Sequence, residues 1–309
     1  MASKVGTYFR LLKDAGIEFS NDNATKLCAS LAYYTVFAIG PLLLVVISLI
    51  GLFFEKQQVT SQIYTQLNSF LGKNGADQML AIIQNMQQQN AAAKYGIIGF
   101  IFLVIGATGV FAEIQDSINY IWSVKAKPKR GWVKYITNRL LSFSLIIGIG
   151  FLLIVSLGVN VLVDLLTDRL QAQFASVTVV LFKVLNVAFL FVVTDVLFAV
   201  IYKVLPDARI RWKDAFIGAS FTSVLFMLGK LLIGIYLSKS NFSATYGPAA
   251  TVIILISWIY YSAIILYFGA EFTKVFALEV GGGIKPYDNA VFIVKKEAKE
   301  LPQWTEKTD

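Results

Sequence analysis

The sequence predicts an all-α polytopic membrane protein with six transmembrane helices and short amphipathic helices in an outer loop. Three observations predict it. Of 309 residues, 57% are hydrophobic and 15% charged, with a mean hydropathy of +0.67, which is outside the range of soluble domains. Apolar stretches of roughly 18 residues or more, long enough to span a bilayer, occur at 31–54, 95–113, 140–163, 177–202, 214–237 and 249–273. Lys and Arg collect in alternate connections.

Residues 1–30 read as a polar leader without the apolar core and cleavage site of a secretory signal, so the first span is expected to be an uncleaved anchor. Within the leader Val5, Tyr8, Phe9 and Leu12 recur at helical spacing beside Lys4, Arg10 and Lys13, the pattern of an interfacial helix. The first span opens with Tyr33-Tyr34-Thr35 and carries Pro41 near its middle. Proline has no N–H, so the Phe37 carbonyl loses its helical donor and needs a neighbour, hydroxyl or water. A kinked helix lining a polar pocket is the expectation.

The loop from Glu55 to Lys94 holds two apolar sets at helical spacing, Val59/Ile63/Leu67/Phe70 and Met79/Ile82/Ile83/Met86, separated by GKNGAD. They predict two amphipathic helices on the outer face. Residues 31–275 form the membrane domain; residues 276–309 form a charged cytoplasmic tail that begins at a glycine-rich break, GGGIKPYDN.

Orientation follows from the basic residues, because short cytoplasmic loops retain Lys and Arg. The leader, the connection from Lys125 to Arg139, the connection from Lys203 to Lys213 and the tail are rich in them; the alternate loops are poor. Both termini are therefore expected in the cytoplasm. Trp122, Trp132 and Trp212 fall at the cytoplasmic ends of spans, where indoles anchor helices. The net charge of +8 reads as topology plus attraction to anionic membrane lipids. No basic and aromatic stacking surface accompanies it, so no nucleic-acid partner is expected.

Ionisable groups within a span cost roughly 2.5–3.5 kcal/mol at its centre and face protein or a wet cavity. Glu113, Asp195 and Glu271 all come late in helices that run from outside to inside, which places them in the cytoplasmic third with Tyr34 and Thr35. They line a polar pocket with Pro41, or they pair with Lys203, Lys213, Arg139 or Lys274 and fix helix register. Lys183 reads as snorkelling to the outer headgroups, whereas Lys230, among Gly218, Ala219, Ser220, Gly229 and Gly234, is a candidate interior ligand.

The stretches LAYYTVFAIGPLL, FAEIQDSINYIWSVKAKPKRGW, IYKVLPDARIRWKDAFIGA and YGPAATVIILISWIYYSAIILYFGAEFTKVFA together resemble the YihY/BrkB family of bacterial inner-membrane proteins. The resemblance implies an integral inner-membrane protein with six spans; some relatives carry a ribonuclease label, others are linked to serum resistance or to movement of envelope lipids. The chain has no histidine and one cysteine, Cys28. It therefore offers no compact metal-ligand set, which disfavours the nuclease. No nucleotide-binding loop or catalytic triad appears, so neither an enzyme nor a cofactor is expected.

Two functions remain open from sequence. One is a transporter or lipid-translocating protein with a pocket formed by Tyr34, Thr35, Pro41, Glu113, Asp195, Lys230 and Glu271. The other is a membrane scaffold that recruits envelope proteins. Substrate, coupling ion, direction and oligomeric state are left open.

Overall fold

The computed structural model describes residues 4–50, 109–127, 176–239 and 250–295, with eight further residues between 61 and 81. The described elements are α1 (Lys4–Asn21), α2 (Ala24–Ile50), the helical residues 109–121 (α3), β1 (Val124–Ala126), α4 (Ser176–Val204), β2 (Ala208–Arg209), α5 (Trp212–Lys239), α6 (Ala250–Glu279), β3 (Lys285–Pro286) and β4 (Ala290–Phe292). Three of them contain stretches long and apolar enough to cross a membrane: Val187–Val204, Trp212–Ile233 and Val252–Glu279. These match the expected fourth, fifth and sixth spans. Most of the expected second span and all of the third lie outside the described residues.

The chain turns sharply between α1 and α2. Asn23 takes φ 50° there, a left-handed conformation that asparagine tolerates better than most residues. Its carbonyl accepts from Lys26 N–H and starts α2. The buried stripe of α1 is Leu11 and Ala15, seated on Phe272, Val275 and Phe276 of α6. The apolar residues read from sequence lie on another side: Phe9 is 73% exposed and Tyr8 also points outward, while Leu12 packs partly against the cluster. Small Ala15 lets the helix approach α6, and ion pairs hold it at both ends, Arg10 to Glu279 at 2.5 Å and Glu18 to Lys274 at 2.8 Å.

Helices α5 and α6 pack antiparallel through two copies of one motif, Gly218-Ala-Ser-Phe-Thr222 and Gly269-Ala-Glu-Phe-Thr273. Each glycine receives the other helix's threonine. A Cβ on Gly218 would lie 1.9 Å from Thr273 Oγ1, and one on Gly269 would lie 2.0 Å from Thr222 Oγ1. The threonine hydroxyls turn back on their own helices, Thr222 donating to the Gly218 carbonyl at 2.7 Å and Thr273 to the Gly269 carbonyl at 2.6 Å. Small residues with internally satisfied hydroxyls allow the close backbone approach that drives helix association in lipid. The Phe221 and Phe272 rings meet at 4.2 Å between centroids. Tyr202 of α4 closes the crossing: its hydroxyl donates to the Leu266 carbonyl at 2.8 Å and lies 3.0 Å from Thr222 Oγ1.

At the end of the bundle where α6 terminates, the connections form a small cap. Strand β1 pairs with β4, and β2 with β3, both antiparallel. Asn119 and Asp207 bind each other twice, side chain to side chain and backbone N–H to side chain, both at 2.8 Å. The glycine run after α6 is held rather than loose: Gly282 N–H donates to Asp214 at 2.9 Å, and Arg211 packs where a Cβ on Gly282 would stand. Trp122 departs from its expected role as a lipid anchor. It is buried, and its indole N–H donates to the Ala270 carbonyl at 3.1 Å, a partner the bilayer interface could not fix in place.

In the segment between 55 and 94, Ser61, Tyr64, Thr65 and Asn68 are helical, as are Ala76, Asp77, Leu80 and Ala81. Tyr64 donates to Asp77 at 2.8 Å. One set precedes the glycine-rich stretch GKNGAD and the other begins with its last two residues, Ala76 and Asp77; the apolar residues from which the amphipathic pair is read lie outside the described residues.

The Gly218–Thr273 contact predicts a double-mutant cycle. Gly218→Ala should destabilise the protein in detergent by about 1–3 kcal/mol, the usual cost of overpacking, with a smaller penalty in a Thr273→Gly background. Equal penalties in thermal unfolding of the two backgrounds would show that the contact is not tight.

Candidate functional site: a buried polar stripe on α6

Tyr267, Glu271 and Lys274 are spaced i, i+4 and i+7, so they share one face of α6. All three are buried. The face opposite carries Gly269 and Thr273 and is taken by α5, so the polar stripe looks toward α1, α2 and α3.

Lys274 gathers its surroundings. Its Nζ lies 2.8 Å from Glu18 Oε2, 2.9 Å from Glu271 Oε2 and 3.8 Å from Asp22 Oδ2. It also donates to the Ile121 carbonyl at 3.0 Å. Lys295, just past β4, reinforces the cluster: it pairs with Asp22, donates to the same carbonyl at 3.3 Å, and stands 4.6 Å from the Tyr120 ring centroid. Two ammonium groups thus offset two of three carboxylates, and the tail is tied to the α1–α2 corner.

Farther along the stripe the polar groups are less well matched. Glu271 is held by the Lys274 ion pair, and among the described residues neither of its carboxylate oxygens has a partner in hydrogen-bond geometry. Ser117 of α3 faces the Tyr267 hydroxyl, with Glu113 and Cys28 within electrostatic range, yet neither hydroxyl oxygen meets hydrogen-bond geometry. Ser223 Oγ on α5 is likewise buried without a partner. Buried polar atoms are nearly always bonded to protein or water, so this cluster is a natural position for water or for a polar guest.

The structure brings together two residues expected at a site, Glu113 and Glu271, through Tyr267. Asp195 lies elsewhere: it accepts from Ser220 of α5 at 2.9 Å and shares no hydrogen-bond or ion-pair partner with Glu271 among the described residues. Lys230 is exposed on α5, not among the buried residues. The Tyr34 ring sits over Gly109 of α3, 3.4 Å from where a Cβ would be, and is partly exposed beside Tyr33. The Thr35 hydroxyl donates to the Leu31 carbonyl of its own helix at 2.7 Å. Helix α2 continues through Pro41; the side chains of 39–50 lie outside the described residues.

Sequence reading missed Glu18, Asp22, Ser117 and Tyr267. The i, i+4, i+7 spacing of Tyr267, Glu271 and Lys274 within an apolar helix was the available signal. Glu18 and Asp22 form the same kind of pair in the leader. Among the described residues no group of His, Cys, Asp and Glu is arranged to hold a metal ion.

Long apolar helices, tight glycine–threonine crossings and a charged cluster closing one end define a helical integral membrane protein. The chain belongs to the BrkB virulence-factor family, whose model, described as "Virulence factor BrkB", matches residues 17–290. It is similar to UPF0761 membrane proteins from several bacteria. The one from Pseudomonas paraeruginosa is 28% identical over 254 residues, covering 82% of this chain and 59% of that protein. The one from Delftia acidovorans is 27% identical over 274 residues, with 85% and 61% covered, and the one from Paraburkholderia xenovorans 28% identical over 295 residues, with 91% and 63% covered. The chain therefore spans about three fifths of the length of these relatives. No solved structure matches it.

Removing the central ammonium should be far costlier than removing the pair it forms. Lys274→Met leaves buried carboxylates without their cation and should cost about 3–5 kcal/mol, whereas Lys274→Met with Glu271→Gln should recover a large part. Thermal unfolding in detergent reads both. Equal loss in the single and double variants would remove Glu271 from the cluster's electrostatics.

Proposed function

We propose that the chain is a transporter or lipid-translocating protein of the bacterial cytoplasmic membrane. In this reading it has six spans, both termini in the cytoplasm, and a polar site in the cytoplasmic half. The alternation of basic and non-basic connections supports that topology. The observation that carries the functional reading is the cluster of buried polar side chains Ser117, Tyr267 and Glu271, with Glu113 within electrostatic range of Tyr267. A protein that only needed register could use apolar side chains there; polar and ionisable groups clustered inside membrane helices mark a path for a polar guest. The chain is read as a non-enzyme, with membrane lipids as its partners.

One observation favours the second reading, a scaffold for envelope proteins: Glu271 is ion-paired with Lys274, and the same cluster ties α1 and the tail to the bundle. Substitution separates the two. In the transporter reading, Glu113→Gln and Tyr267→Phe keep wild-type abundance and thermal stability but lower the rate of fluorescent-phospholipid or solute movement in reconstituted vesicles by tenfold or more. Unchanged rates in both variants, or no movement above protein-free vesicles with the wild type, would support the scaffold.

A further inference from the structure

At the start of α5 the surface becomes basic and aromatic at once. Arg209 on β2 and Lys285 on β3 are direct cross-strand partners, and both are exposed. Like charges placed directly opposite each other destabilise a strand pair. The Tyr287 ring lies 4.8 Å from the Arg209 guanidinium. Two residues beyond Arg211, Lys213 is also exposed. Trp212 between them is 51% exposed, and its ring contacts that of Phe216, one turn farther into the span and also exposed.

The nearby acids do not neutralise this corner. Asp207 is buried and bonded by Asn119, and Asp214 is buried and bonded by Arg211 and Gly282 N–H. Asp288, on the turn between β3 and β4, is the exposed acid closest in sequence. Because Trp212 is the first residue of a candidate span, the corner sits at the depth where headgroups meet water, a level that suits an indole.

We infer that the cross-strand pair Arg209 and Lys285, with exposed Lys213 at the start of α5, binds the phosphate of an anionic phospholipid from the surrounding leaflet. The phosphate offsets the repulsion between Arg209 and Lys285, a guanidinium being suited to phosphate oxygens, while Trp212 and Phe216 lie along the glycerol and upper acyl chain. The inference depends on the described fold alone and holds whether the protein transports or scaffolds.

Native mass spectrometry of the full chain in detergent, with phosphatidylglycerol and phosphatidylcholine of the same acyl chains, tests it. Wild type should retain phosphatidylglycerol in preference by on the order of tenfold. Arg209→Gln/Lys213→Gln/Lys285→Gln should bring the two lipids to parity, while Lys125→Gln/Lys127→Gln, at and just after β1, should not. Lys285→Gln alone supplies a check independent of folding: it should lower phosphatidylglycerol retention while leaving the melting temperature of delipidated protein unchanged or higher, because a like-charge contact is removed. Equal retention of both lipids by wild type, full preference in the triple variant, or displacement of the lipid by soluble glycerol phosphate or a short RNA would each overturn the inference.

Discussion

The fold depends on a single buried ammonium. Lys274 comes from the last helix but is matched by Glu18 on the first, by Asp22 at the first corner, by Glu271 one turn away and by the Ile121 carbonyl at the end of α3. A lysine in an apolar helix is tolerated only where partners surround it. Its presence therefore dictates that the leader, the third helix and the tail converge on one point. Lys295, just past β4, repeats the contact, so two lysines from the C-terminal part share the same two acceptors, Asp22 and the Ile121 carbonyl, which lie far away in sequence.

A second constraint operates on the opposite face of α6. Hydrophobic burial contributes little to association within lipid, so α5 and α6 rely on close approach, and the duplicated Gly-Ala-X-Phe-Thr sequence supplies it reciprocally. The two faces divide the labour. Glycine and threonine make one side of α6 a tight, polar-satisfied seam, and Tyr267, Glu271 and Lys274 make the other a charged and partly unsatisfied one.

Much of the described fold was legible in the sequence. Spans read at 177–202, 214–237 and 249–273 correspond to Ser176–Val204, Trp212–Lys239 and Ala250–Glu279, because long apolar runs signal helices without help from tertiary context. Docking was not legible. In α1 the sequence offered an apolar set that faces outward, and only the partner on α6 reveals that Leu11 and Ala15 form a buried stripe as well. The glycine run at 281–283 looked like a break for the same reason: nothing local reveals that Asp214 and Arg211, some seventy residues earlier, close over it. Of the site, sequence found Glu113 and Glu271 from the cost of charge in lipid, but not Tyr267 and Ser117, whose neutral hydroxyls carry no such cost to mark them.

Hydrogen exchange, followed by mass spectrometry on the full chain in detergent, tests the organising role of Lys274 most directly. In Lys274→Met, amides in residues 17–26, 118–124 and 290–295 should exchange faster than in wild type, while those in 212–239, held by the glycine–threonine seam, should be unchanged. Faster exchange confined to residues 270–278, or spread evenly over the whole chain, would contradict the view that this one ammonium joins the ends of the protein.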